Sequence, residues 1–137
     1  MRVEPGFQLG LVPQQLSRRQ PVLATSDSQA QRFESLKIRA SLNIYPGCKW
    51  ATPPYLAPTL VIVGELDEWA PAKYCELLLK MPNKTPLQVE IYPGVHHNFD
   101  YVGLDDVKLG KIIRSDAAAT SRAEADVEAF LAKHVTQ

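Results

Sequence analysis

At 137 residues the chain holds material for one domain, and 45% hydrophobic against 22% charged residues marks it as globular rather than disordered. Fifteen basic residues balance fifteen acidic ones, which argues against a nucleic-acid partner or an anionic membrane surface. No apolar run is long enough to span a bilayer, so no membrane partner is expected.

The first twenty residues mix charge, Gln and Pro and lack the hydrophobic stretch of a signal peptide. Cys48 and Cys75 have neither CxxC nor zinc-like spacing, and the three histidines form no ligand pattern. The expectation is a cytoplasmic, reduced protein with no metal and no cofactor. There is no internal repeat.

Residues 1–26 carry paired Arg, Gln and Pro without a sustained period and read as an irregular N-terminal segment, with 27–137 as the domain proper. From Asp27 to Ile38 a capping Asp precedes Ala30, Phe33 and Leu36 at helical intervals, which predicts a helix. "SLNIYPG" (41–47) alternates Leu42 and Ile44 and breaks at Pro-Gly, as a short strand does. "TLVIVG" (59–64) is a near-continuous apolar run, the mark of a parallel strand covered on both faces. "PAKYCELLLKM" (71–81) opens with Pro in the first helical turn and sets Cys75, Leu78 and Leu79 on one side.

"LQVEIYPG" (87–94) alternates again, with Leu87, Val89 and Ile91 pointing one way and Gln88 and Glu90 the other. Residues 100–120 read as a long loop that covers the rim of the sheet. "SRAEADVEAFLAKHV" (121–135) begins with a Ser121–Glu124 capping box and places Ala123, Val127, Phe130 and Leu131 on one stripe. Strand, strand, helix, strand, loop and helix make an α/β protein with a mainly parallel sheet flanked by helices.

Reactive groups in such sheets collect at the carboxyl ends of the strands. One strand here ends in "GELDEWAP" and the next in "YPGVHHNF", one crossover apart. That spacing can bring Asp67 beside His97, where a carboxylate on one ring nitrogen leaves the other to take a proton. The same residues are consistent with structural work: Asp67 as a cap for the helix near Pro71, His96 or His97 as loop residues bonding carbonyls. Trp69 and Trp50, near the rim, are candidates for the wall of a small apolar pocket or for plain packing.

Together, "LVIVGELDEWAPAKYCELLL", "VEIYPGVHHNFD" and "LNIYPGC" resemble the dienelactone hydrolase family of α/β-hydrolases, as does the closing Ala129-Phe130-Leu131 stretch. The likeness runs from about residue 33 to 135. It implies a partial α/β-hydrolase fold, the C-terminal portion of a domain whose N-terminal half is absent. It also implies hydrolysis of a small ester or lactone, with Asp67 as orienting acid and His97 as base; His96 falls at a variable position.

The family's nucleophile sits in a G-x-[CS]-x-G elbow upstream. None of the seven serines here lies between two glycines at that spacing; the window "GFQLG" (6–10) is centred on Gln8 and followed by Pro13. An amide is no nucleophile. Ser26 and Ser28 read as turn or cap residues and Cys75 as core. Cys48, in "YPGC" at a strand's carboxyl end, is the alternative: a thiolate nucleophile beside an imidazole, or a small buried residue.

Two functions therefore stand: a small-ester or lactone hydrolase completed by a nucleophile, and a catalytically inactive remnant acting as a binding module. With half a sheet missing, the edge beside "LNIYP" or "TLVIVG" is expected to be unpaired, inviting a homo-oligomer or a complementary N-terminal half.

Overall fold

The computed structural model describes residues 10–11, 38–50 and 52–135. Four parallel strands form one sheet in sequential order: β1 (Gly10–Leu11), β2 (Ser41–Ile44), β3 (Thr59–Gly64) and β4 (Leu87–Tyr92). Helix α1 (Ala72–Leu78) joins β3 to β4. After β4 come a two-stranded antiparallel hairpin, β5 (Asp105–Lys108) and β6 (Lys111–Arg114), and the closing helix α2 (Ala117–His134). The fold is α/β.

The apolar run "TLVIVG" is buried at every position, as its composition requires of a strand covered on both faces. It pairs with β2 from Ser41↔Thr59 to Ile44↔Ile62 and with β4 from Thr59↔Leu87 to Gly64↔Tyr92. In β4 the alternation has a plain cause. Leu87, Val89 and Ile91 pack on the core, while Gln88 and Glu90 hydrogen-bond each other and Tyr92 donates to Asp126 of α2 at 2.6 Å. Arg122 of α2 lies over the Tyr92 ring at 4.3 Å, so α2 covers that face of β4. From α1, Cys75 and Leu78 are buried; from α2, Ala119, Ala123, Phe130 and Leu131 are, with Val127 packed partly against them.

Several expectations change. A strand stands at Gly10–Leu11, inside the segment read as irregular, and it pairs with Ser41 and Leu42 of β2. Neither β2 nor β3 is therefore an open edge; among the described residues the outer strands are β1 and β4. Gly10, the last residue of "GFQLG", opens β1, while Gln8 and nearly all of the helix expected over 27–38 lie outside the described residues.

Helix α2 starts a turn earlier than the Ser121 box suggests. Asp116 is its N-cap, accepting from the Ala119 amide at 2.9 Å and leaving Ser121 inside the helix. The stretch expected as a loop over 100–120 holds the β5–β6 hairpin, turned at Leu109 and Gly110, both with positive φ. Cys48 and Cys75 are joined in a disulfide, with Cα atoms 5.0 Å apart, against the expectation of two reduced thiols.

Candidate active site

Strand β3 ends at Gly64, and the chain turns at once. The Asp67 amide donates to the Gly64 carbonyl at 3.2 Å, the Glu65 amide to Tyr92 at 2.9 Å and the Leu66 amide to Val95 at 3.0 Å. The loop after β3 is thus stitched to the loop after β4, a contact that needs Gly64. A side chain there would run into the Val95 carbonyl. Glu65 adds to the seam, its carboxylate accepting from the Gly94 amide at 2.9 Å.

This seam sets Asp67 against His97. One Asp67 oxygen, Oδ1, accepts from the Trp69 amide at 2.8 Å and from the Ala70 amide at 2.6 Å. The other, Oδ2, lies 2.7 Å from His97 Nδ1. The Asp67 side chain has no exposed surface and that of His97 is 12% exposed, so the pair is shielded yet reaches solvent from the histidine side. With carboxylate oxygens that only accept, the Nδ1 contact assigns the ring proton to Nδ1 and leaves Nε2 as the basic nitrogen of the neutral ring. Asp67 therefore holds an imidazole but does not cap α1: Pro71 is the N-cap, with no side-chain bond, and the Asp67 carboxylate instead braces the Trp69–Ala70 turn just before the helix.

His96, one residue earlier, is half-buried, and its Nδ1 has no hydrogen-bond partner among the described residues. Asn98, next after His97, has a positive φ, which Asn tolerates better than most residues. The His97 carbonyl accepts from the Arg114 amide at 3.1 Å, and the Phe99 carbonyl from the Asp116 amide at 2.7 Å. These bonds fasten the β5–β6 hairpin onto the histidine loop. Glu68 accepts from the Ile112 amide at 3.3 Å, and Lys111 lies 4.8 Å above the Trp69 ring.

A cleft of about 320 Å³ opens between these parts, lined by Trp69, His97, Asn98, Tyr101, Leu104, Lys108 and Ile113. The hairpin region thus supplies most of a wall that the sequence leaves as unspecified loop. Trp69 belongs to the cleft, its ring centroid 6.3 Å from that of His97. Trp50 is not among the lining residues; it is exposed, with Lys49 over its ring at 5.0 Å, because the Pro46–Trp50 turn carries it off the cleft.

Cys48 cannot serve as nucleophile in this state. Its sulfur is bonded to Cys75, and both residues are buried. Sequence reasoning also misses Tyr45, which stands one residue beyond β2. Its ring centroid lies 4.6 Å from that of His97, and its phenol donates to Asp100 at 2.8 Å. Burial and the Asp100 carboxylate push the Tyr45 phenol well above its ordinary range, which favours the protonated phenol that donates to Asp100. Nothing in "LNIYPG" signals this, since the contact spans more than fifty residues. Among the described residues no cluster of His, Cys, Asp and Glu could hold a metal ion, and no helix is long and apolar enough to cross a membrane.

No family model matches the chain, and no curated protein does. Among solved structures it is similar to an alpha-beta serine hydrolase homologue from Coxiella burnetii, at 17% identity and a TM-score of 0.40. That match covers 53% of this chain and 36% of the other, so it spans about a third of that protein's length. A likeness of this size shows no family membership.

Proposed function

We propose that the chain carries the acid and base of a hydrolase acting on small esters or lactones, in the manner of the dienelactone hydrolase family. The observation that carries this reading is the Asp67–His97 pair, 2.7 Å apart at the carboxyl ends of adjacent parallel strands and beside an open cleft. Asp67, fixed by two backbone amides, holds the imidazole in one tautomer and offsets the positive charge that His97 gains. His97 Nε2 takes the proton of the attacking hydroxyl or water and returns it to the leaving oxygen. Trp69, Tyr101, Leu104 and Ile113 offer apolar surface for the acyl part, and Asn98 and Lys108 polar groups for an oxygen-rich substrate. The bond cleaved is the ester C–O bond; water supplies the hydroxyl of the acid and the proton of the alcohol.

A second reading, a silent module that binds a partner or a second copy, draws on one observation: both cysteines are closed in a disulfide, so Cys48 offers no thiol. One assay separates the two. The full chain is given a short-chain activated ester beside His97→Ala, with circular dichroism confirming that both are folded. Hydrolysis falling by about 10²–10⁴-fold in the variant supports the base. Equal, background rates from two folded samples would sink the hydrolase reading and leave the module.

A further inference from the structure

We propose that Tyr45 is the positioning residue for the His97 imidazole, and that Asp100 is the latch that holds Tyr45 in place. The proposal rests on the reading of His97 as the base, and it is carried by geometry that this reading does not use.

The Asp67 carboxylate touches His97 at a single atom, Nδ1. A hydrogen bond at one atom fixes a point, and packing against the ring fixes its plane. A second contact, against the face or edge of the ring, is what turns a tethered imidazole into an aimed one. Tyr45 supplies it. Its ring centroid lies 4.6 Å from that of His97 with the planes at 52°, inside the range of favourable aromatic pairs. Trp69 stands farther off, at 6.3 Å.

The tyrosine is itself braced on several sides. Its ring meets Phe99 edge-on at 5.7 Å and 89°, its amide donates to the Ile62 carbonyl at 2.6 Å, and its phenol donates to Asp100 at 2.8 Å. Phe99 and Asp100 follow His97 by two and three residues, so Tyr45 grips the histidine loop just beyond the ring it contacts. The backbone pays for this arrangement. Tyr45 has φ +42, a region that bulky residues rarely adopt. Such a conformation persists only where the surroundings over-determine it. Here they do so by seating a buried aromatic ring against an imidazole.

Asp100 is exposed and therefore the removable part. Three variants separate latch, ring and bulk: Asp100→Asn, Tyr45→Phe and Tyr45→Leu. Two readouts are taken, the downfield proton signal of the His97 Nδ1–H held against Asp67, and kcat and KM for an activated ester. The signal is assigned by its loss in His97→Gln. Tyr45→Phe keeps the ring and is expected to retain the signal, broadened, with kcat down about 3–10-fold. Asp100→Asn, which keeps a polar acceptor, is expected to lie between Tyr45→Phe and the wild type. Tyr45→Leu is expected to lose the signal to exchange with water, with kcat down about 30–100-fold and KM within about twofold. Should Tyr45→Leu fail to fold, the ordering of the other two against the wild type decides. An unchanged signal and unchanged kcat in a folded Tyr45→Leu, or in both milder variants, overturns the proposal. If the wild type hydrolyses no ester, the hydrolase reading fails, yet the proton signal still reports whether Tyr45 orders the imidazole.

Discussion

The carbonyl of Val95 occupies the place where a side chain on Gly64 would begin. Through that contact the loop carrying Asp67 and the loop carrying His97 lie against each other, with the Leu66 amide donating to the same carbonyl at 3.0 Å. The obstacle is backbone, which cannot rotate aside as a side chain does. Gly64→Ala is therefore expected to destabilise the fold by about 3 kcal/mol, at the upper end for overpacking. It should also abolish the Asp67–His97 contact before global unfolding is complete. Urea denaturation and the downfield imidazole proton check the two effects; an unshifted urea midpoint would mean that the loops have room to part.

Asp67→Asn tests what the carboxylate does beyond bracing the Trp69–Ala70 turn. An amide keeps an oxygen for the Trp69 and Ala70 N–H groups but presents an NH2 to the imidazole. That NH2 can only donate, so His97 must turn Nδ1 into an acceptor and carry its proton on Nε2, where the base should be. Ester hydrolysis is expected to fall by about 10³–10⁴-fold with little change in stability. Asp67→Ala differs: it orphans the buried Ala70 amide and the part-buried Trp69 amide, and is expected to cost about 2–4 kcal/mol as well. Equal activity in Asp67→Asn and wild type would reduce Asp67 to a brace for that turn.

Much of the scaffold is legible in the sequence because burial dictates residue type. A strand enclosed on both faces must read as "TLVIVG", and a helix crossing back from it must show apolar spacing, as "PAKYCELL" does. The pairing of Asp67 with His97 follows from parallel topology, which puts successive strand ends on one rim. The hairpin is hidden for the opposite reason. All four residues of β5 are exposed, so "DDVK" has no apolar alternation to betray it, and the turn uses Leu109-Gly110 where Asn-Gly would announce itself. The Ser121–Glu124 box reads as the start of α2, yet the cap is Asp116, set by its place after the hairpin rather than by local pattern. The Cys48–Cys75 bond and the Tyr45–Asp100 latch are tertiary contacts, and no spacing rule reaches across 27 or 55 residues to find them.

The disulfide carries its own expectation. It ties the turn after β2 to α1 and closes a loop with a sequence separation of 27 residues, which restricts the unfolded chain. Cys48→Ser with Cys75→Ser is expected to lower stability by about 3–4 kcal/mol on the loop-entropy account. Ester hydrolysis, measured well below the new midpoint, should persist, since neither sulfur is available to the site. Activity that vanished from a folded double variant would bring Cys48 back into the chemistry.

High pH tests the buried phenols. Burial raises Tyr55 from 10.0 to about 12, and Tyr45 and Tyr92 also move upward, chiefly through burial and then through their bonds to Asp100 and Asp126. A phenol whose protonated form the fold prefers adds stability that is complete below its unfolded pKa and is lost as pH rises through its folded one. Stability should therefore be flat with respect to these groups below about pH 9. It should fall as pH climbs from 10.0 toward about 12, the window set by Tyr55. Urea midpoints taken between pH 8 and pH 11.5, with phenolate absorbance followed in parallel, measure the slope. Tyr55→Phe removes one ionisation and should make that slope shallower, by up to about 2–3 kcal/mol across the window. If Tyr45, Tyr55 and Tyr92 instead ionise near 10.0 in the folded chain with no loss of stability, those three rings are not buried as described.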